Sequence, residues 1–295
     1  PVPEPSLSAR EADAIAAMKA LGKEGRWRQA LAVLAELKAD GAAGADFAPS
    51  VTAYNAAVGA VSRSGKLDEA LGLLEEMRSA GVQPDVRTFT SVISAGSRSG
   101  NIALAEEILD TMQSEGVPPN AATYNAVITG CSSAAGGGGG GGGSRRALRL
   151  LERMAADPSP EARPEALSYT MVIKACGRDG LWETALQLLA EMQAKGLKPT
   201  VFSFRYALAA CSGGGGMAVP GRGIPSEDDS SSAAAWERCR TLMDAMGTLG
   251  LAPDRLCYKY AVDAAAKAGD VDAALDLMDG MEACEGFNSA SQYHQ

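Results

Sequence analysis

The chain has 295 residues, 46% apolar, 21% charged and only 5% aromatic, with 27 Lys and Arg against 36 Asp and Glu for a net charge of -9. No run approaches the roughly 18 to 20 consecutive apolar residues of a membrane-spanning helix, so no membrane partner is expected. Six cysteines without a CxxC pair and a single histidine, His294, argue against a zinc site, a His-dependent triad or a disulfide scaffold. The chain opens at Pro1 with no leader-like segment, which reads as a fragment or a processed product.

From residue 11 onward the sequence repeats. Residues 1–10 read as a linker or fragment end, and 11–50 as a degenerate 40-residue copy with extra residues around Gly41 to Asp46. Segments 51–85 and 86–120 follow, each 35 residues long, and 166–200 and 255–289 keep that length. Segments 121–165 and 201–254 are 45 and 54 residues, lengthened by Gly136 to Gly143 and by a low-complexity stretch from Gly213 to about Ser232; 290–295 is a tail. Both inserts fall between two helices of one unit, where a loop adds little closure entropy. The glycine run lacks the GK[ST] ending of a phosphate loop.

In the first full unit Tyr54, Ala57, Val58 and Val61 share one helical face, and Leu67, Ala70, Leu71, Leu74 and Met77 share a second. An aromatic column (Tyr54, Phe89, Tyr124, Tyr169, Phe204, Tyr258), an alanine column (Ala30, Ala70, Ala105, Ala147, Ala185, Ala274) and a methionine column (Met77, Met112, Met154, Met192, Met246, Met281) recur as core positions. Gly25, Gly65, Gly100, Gly180 and Gly269 end first helices; Gly81, Gly116, Gly196 and Gly250 end second helices, with prolines three residues later. A hairpin this short cannot bury both faces alone. The expected fold is therefore all-α, a right-handed superhelical α-solenoid of stacked helical hairpins.

The 35-residue period, the Tyr-Asn or Phe-Thr opening, the run Gly65 to Leu71, the later Met77 and the Pro-Asp, Pro-Asn or Pro-Thr closing resemble the pentatricopeptide repeat, in its pure 35-residue class, over about residues 11–289. That resemblance implies single-stranded RNA as partner, one nucleotide per repeat, in a mitochondrion or plastid, with no cofactor and no catalytic site. It implies that the fifth and last residues of a unit read a base edge. These are Asn55 with Asp85 for uracil, Thr90 with Asn120 for adenine, Asn125 with Glu165 leaning to pyrimidine and Thr170 with Thr200 to purine. Arg205 with Asp254 and Lys259 with Ser289 do not match the family's pairs. It further implies that the second residue wedges between bases: Thr52, Arg87, Ala122, Leu167, Phe202 and Leu256.

Lys23, Arg63, Arg98, Arg178 and Lys267 stand two residues before the glycine that ends each first helix, a column suited to tracking phosphates. The same residues would also complement helix C-termini. Second helices carry the acids, such as Asp68, Glu69, Glu75 and Glu76, so the net negative charge is expected on the second-helix face, which is open to protein partners. Asp85, Asn120 and Thr200 precede helices and also suit N-caps; Cys131, Cys176 and Cys211, and Trp27, Trp182 and Trp236, fall in columns read as core. Two rival functions stand beside RNA binding: a protein-binding helical scaffold, and the RNA-binding part of a larger enzyme resembling protein-only ribonuclease P.

Overall fold

The computed structural model describes residues 7–42, 49–133, 142–213 and 229–291; the expectations placed on residues 1–6, 43–48, 134–141, 214–228 and 292–295, among them most of both inserts and His294, lie outside them. Among the described residues there is no strand. The helices are α1 (Leu7–Lys23), α2 (Trp27–Ala42), α3 (Val51–Arg63), α4 (Leu67–Ser79), α5 (Val86–Ser99), α6 (Ile102–Ser114), α7 (Ala121–Cys131), α8 (Gly142–Ala156), α9 (Ala166–Asp179), α10 (Trp182–Ala194), α11 (Val201–Cys211), α12 (Asp229–Thr248), α13 (Arg255–Lys267) and α14 (Val271–Ser291). Gly142 and Gly143, read as the end of the first insert, are thus helical, as are Asp229 to Ser232 at the end of the second.

The chain divides into two compact units, Pro1–Gly136 with Glu152–Arg163, and Gly137–Leu151 with Pro164–Gln295. Each is a stack of helical hairpins, so the fold is the all-α solenoid its repeats imply. In the first unit α1, α3, α5 and α7 pack in succession against one another, while α2, α4 and α6 each lean on their own hairpin partner and on the next first helix. The second unit repeats the scheme with α9, α11 and α13 as one layer and α10, α12 and α14 as the other.

The repeated columns make the core. Tyr54, Phe89, Tyr124, Tyr169 and Phe204 are buried, as are Ala30, Ala70, Ala105, Ala147 and Ala185, and Met77, Met112, Met154, Met192 and Met246. In the last hairpin the equivalents Tyr258, Ala274 and Met281 are only half-buried, and Val271, Leu275 and Met278 of α14 are exposed. The described residues provide no later helix against α14. Cys131, Cys176 and Cys211 are buried, and burial pushes Cys176 up to about 12, so they serve as small core residues. The tryptophans instead sit half-buried at seams between hairpins: Lys66 lies 5.8 Å from the Trp27 ring, Arg238 lies 3.9 Å from the Trp182 ring, and the Trp236 Nε1 donates to Asp270 at 3.0 Å.

Close approach of first helices imposes its own residue choice. A Cβ on Gly177 of α9 would stand 2.7 Å from the Tyr206 carbonyl oxygen of α11, a contact no side chain can make without shifting backbone. By contrast Gly72, within α4, has open space around it. Gly177→Ala is expected to destabilise by about 1 to 3 kcal/mol, whereas Gly72→Ala should stabilise by up to about 1 kcal/mol through helix propensity. Urea unfolding of the two variants beside wild type checks the pair, and equal effects would refute the packing argument.

Candidate nucleic-acid interface

Each junction between hairpins in the first unit is closed by the last residue of one repeat. Asp85 is extended (φ -105°, ψ 177°) and its carboxylate accepts from the Thr88 amide at 2.8 Å, which caps the exposed N–H groups at the start of α5. Thr88 Oγ1 returns the bond by accepting from the Asp85 amide at 3.2 Å, a reciprocal capping box. Asn120 with Thr123 at the start of α7 and, in the second unit, Thr200 with Ser203 at the start of α11 are built the same way. At α9 the Glu165 amide donates to Ser168 Oγ at 3.1 Å. The N-cap role weighed for Asp85, Asn120 and Thr200 is therefore real, and it leaves part of each side chain facing elsewhere.

At Asp85 and Asp254 that remainder meets the fifth residue of the same repeat, and at Asn120 and Thr200 it reaches that residue through the third-position hydroxyl. Asn55 Nδ2 donates to both Asp85 carboxylate oxygens at 3.1 Å, and Asn55 Oδ1 accepts from Thr88 Oγ1 at 2.6 Å. The anion fixes the amide orientation, because the flipped amide would set its oxygen against a carboxylate. At the next junction Thr90 Oγ1 lies 2.7 Å from Thr123 Oγ1, which donates to Asn120 Oδ1 at 3.0 Å, so the oxygen of Asn120 faces the cap and its Nδ2 does not. In the second unit Thr170 donates to its own Ala166 carbonyl at 2.7 Å and touches Ser203 Oγ at 2.7 Å, buried in the junction. Arg205 pairs directly with Asp254, Nη1 to Oδ2 at 2.9 Å. Asn125 is buried and its Oδ1 has no hydrogen-bond partner, while Glu165 is exposed; they belong to different units.

The sequence reading missed the hydroxyls at the third position, Thr88, Thr123, Ser168 and Ser203, which join the two residues it did single out. Their signal was present: a Ser or Thr three residues after every capping residue from Asp85 to Thr200 is a capping-box spacing. In the last junction Cys257 occupies the column, and its amide donates to Asp254 Oδ1 at 2.9 Å.

The second-position column is exposed throughout. Thr52, Arg87 and Ala122 are open to solvent, and Leu167, Phe202 and Leu256 are 51%, 54% and 41% exposed, large apolar side chains left outside the core.

The basic column behaves differently from a bare row of charges. Arg63 Nε donates to the Gly22 carbonyl at 3.0 Å, Arg98 Nη1 to the Ser62 carbonyl at 3.0 Å, and Lys267 Nζ to the Ser212 carbonyl at 2.9 Å. Each satisfies the C-terminal end of the preceding first helix, so the helix-end role extends across the junction to a neighbour. Lys23 is exposed at the end of α1, and Arg178 is half-buried. Arg63 stands eight residues after Asn55 on α3, about 12 Å along the axis. The basic column and the junction residues thus mark opposite ends of the first helices.

Acids of the second helices are held by neighbouring side chains of both layers. Tyr54 donates to Glu76 at 3.0 Å, Lys38 pairs with Glu76 at 2.5 Å, and Arg153 pairs with Asp110 at 2.6 Å. Burial, then the bond to Glu76, pushes the Tyr54 phenol up to about 12. Among the described residues there is no group of three His, Cys, Asp or Glu arranged to hold a metal, and no helix long and apolar enough to cross a membrane.

Family models match much of the same ground: "Pentatricopeptide repeat domain" at residues 72–133, "PPR repeat family" at 164–213, and "PPR repeat" at 16–41, 52–82 and 257–285. Small ribosomal subunit protein mL103 (rPPR7) of Arabidopsis thaliana is 26% identical over 134 residues, 40% of this chain and 32% of that protein. A mitochondrial pentatricopeptide repeat-containing protein of the same plant is 25% identical over an equal span and share. The chloroplastic pentatricopeptide repeat-containing protein 10 of Zea mays is 29% identical over 116 residues, 39% of this chain and 12% of that one. The chain therefore spans a third or less of these relatives. The crystal structure of maize PPR10 superposes with a TM-score of 0.62 at 27% identity, covering 90% of this chain and 33% of that one. PPR10 in complex with an 18-nt psaJ RNA element superposes with a TM-score of 0.52 at 27% identity, covering 93% and 39%.

The cap predicts a pH signature. Burial alone would raise the Asp85 carboxyl, but bonds from the Thr88 amide, the Asn55 and Thr88 side chains and the Arg87 amide outweigh it and hold it below its ordinary 3.8. Its stabilisation is therefore present at neutral pH and lost as pH falls through the lowered native value. Asp85→Ala should cost about 1 kcal/mol at pH 7. Asp85→Asn, which can still cap, should cost less, and its deficit should shrink below about pH 4. Urea unfolding across that range checks the sign; a deficit that grows on acidification would contradict it.

Proposed function

The chain belongs to the pentatricopeptide repeat family, and from that premise we propose that it binds single-stranded RNA in a sequence-selective way, one nucleotide per hairpin junction, in a mitochondrion or plastid. The observation that carries this reading is the junction itself. A fifth residue and a closing residue from the same repeat are held side by side, oriented by a cap, next to exposed second-position side chains. Relatives named as mitochondrial and chloroplastic support the compartment, and the RNA-bound maize structure supports the ligand.

The junctions differ in what they offer a base. Asn55 with Asp85 presents an oriented amide beside a carboxylate and is assigned to uracil. Thr90 with Asn120 turns an amide nitrogen away from the cap, a donor for the ring nitrogens of adenine. Thr170 with Thr200 is assigned weakly to a purine. Thr52, Arg87, Ala122, Leu167, Phe202 and Leu256 are assigned to the spaces between bases, with Leu167, Phe202 and Leu256 providing the apolar contact. Lys23, Arg63, Arg98, Arg178 and Lys267 supply positive potential for the backbone. Arg63, Arg98 and Lys267 also clamp neighbouring helices, since a guanidinium or ammonium bound to a carbonyl keeps its charge and further donors. The role is that of a binding module in RNA processing, stability, splicing or translation rather than of an enzyme.

Asn55→Thr, leaving Asp85 in place, is expected to move the preferred base at one nucleotide from uracil towards guanine, by about 1 to 3 kcal/mol of discrimination. A randomised single-stranded RNA selection run on wild type and variant together reads the change. Identical motifs from the two proteins would show that Asn55 serves only the junction.

A further inference from the structure

The junction between α11 and α13 is the chemical exception. A neutral amide meets the closing residue at Asp85, and at the Asn120 and Thr200 junctions a threonine hydroxyl meets the third-position hydroxyl beside it; here a cation meets the closing residue directly. Arg205 Nη1 donates to Asp254 Oδ2 at 2.9 Å and its Nη2 reaches Tyr206 Oη at 3.4 Å. Its guanidinium carbon sits 4.5 Å from the Phe202 ring centre and 5.1 Å from that of Tyr206, within cation–π range of both. The Arg205 side chain is only 16% exposed. The usual third-position hydroxyl is replaced by Cys257, so Arg205 is oriented by Asp254 and the rings alone. Phe202 and Leu256, 54% and 41% exposed, occupy the second position in this repeat and the next.

A guanidinium beside a carboxylate offers a donor next to an anionic acceptor. Guanine is the base whose Watson–Crick edge matches this order, with the O6 acceptor followed by the N1–H and N2–H donors. Uracil would set its second carbonyl against the carboxylate, cytosine would set two acceptors there, and adenine would face the guanidinium with an amino group. An ion pair keeps both groups charged, and hydrogen bonds to charged partners are the stronger kind.

We propose that this junction selects guanine, Arg205 donating to O6 and Asp254 accepting from N1–H and N2–H, with the base ring between Phe202 and Leu256. The proposal rests on the RNA-binding reading and goes beyond it, because this pair is not among those the family's repeats use.

The test is equilibrium binding of the intact chain, at one fixed salt concentration, to RNAs differing only at the nucleotide four positions from the one that responds to Asn55→Thr. Guanine should bind about tenfold or more tightly than the other three bases. Inosine, lacking the N2 amine, should bind severalfold more weakly than guanine, and 7-deazaguanine should bind as guanine does. Asp254→Asn keeps an N-capping side chain and should abolish the preference; the inosine result holds even if that variant folds poorly. Equal affinities for all four bases here, with discrimination intact at the Asn55 position, would overturn this inference alone. A preference lost with 7-deazaguanine would overturn the edge assignment, since N7 would then be the contact. Failure to bind single-stranded RNA at all would overturn the RNA-binding reading and the inference with it.

Discussion

Everything in this chain hangs on the bond by which the last residue of one hairpin caps the first helix of the next. Four amide groups at the start of each helix need partners, and Asp85, Asn120, Thr200 and Asp254 each satisfy one of them. A single hairpin is too thin to bury both faces, so it must be stacked at a fixed distance from its neighbour. The cap fixes how the chain enters each new helix and also holds a polar side chain at the edge of the first-helix layer. Asn55 is bonded to Asp85 and Thr88 at once, which makes the same contact a structural tie and a defined arrangement of donors and acceptors.

The opposite ends of those helices are satisfied in the same borrowed way. Arg63, Arg98 and Lys267 each cross to a carbonyl that ends the preceding first helix. A net charge of -9 is thus compatible with a polyanionic ligand because the charges are sorted by layer. The basic residues end first helices, and many acids sit on second helices, where Glu76 and Asp110 pair with Lys38 and Arg153. Such exposed pairs add little stability individually.

Most of the fold was legible because burial repeats with the period. The Tyr, Ala and Met columns recur and are buried, and the glycines at the helix ends, such as Gly65, Gly100 and Gly180, have positive φ. What could not be seen depended on register between hairpins. Nothing in the linear sequence says that Arg98 meets Ser62, or that Trp27, Trp182 and Trp236 lie at seams rather than in the core. The third-position hydroxyls were visible as a capping-box column but were eclipsed by the more variable fifth residues they support. The half-buried Tyr258, Ala274 and Met281 show the limit of column reasoning, since a core position is buried only if a next hairpin is packed against it.

The central claim is that the junction that joins two hairpins also presents the base-reading side chains. Thr88→Val tests it most directly, because valine keeps the shape while removing the hydroxyl that bonds both Asn55 and Asp85. The measurement is base preference at the nucleotide proposed for Asn55, compared between the two proteins in one RNA selection, with circular dichroism confirming the helices. The account predicts a folded protein, destabilised by about 1 kcal/mol, whose preference at that nucleotide is weakened while the other positions keep theirs. An unchanged preference at that nucleotide in a folded variant would contradict it.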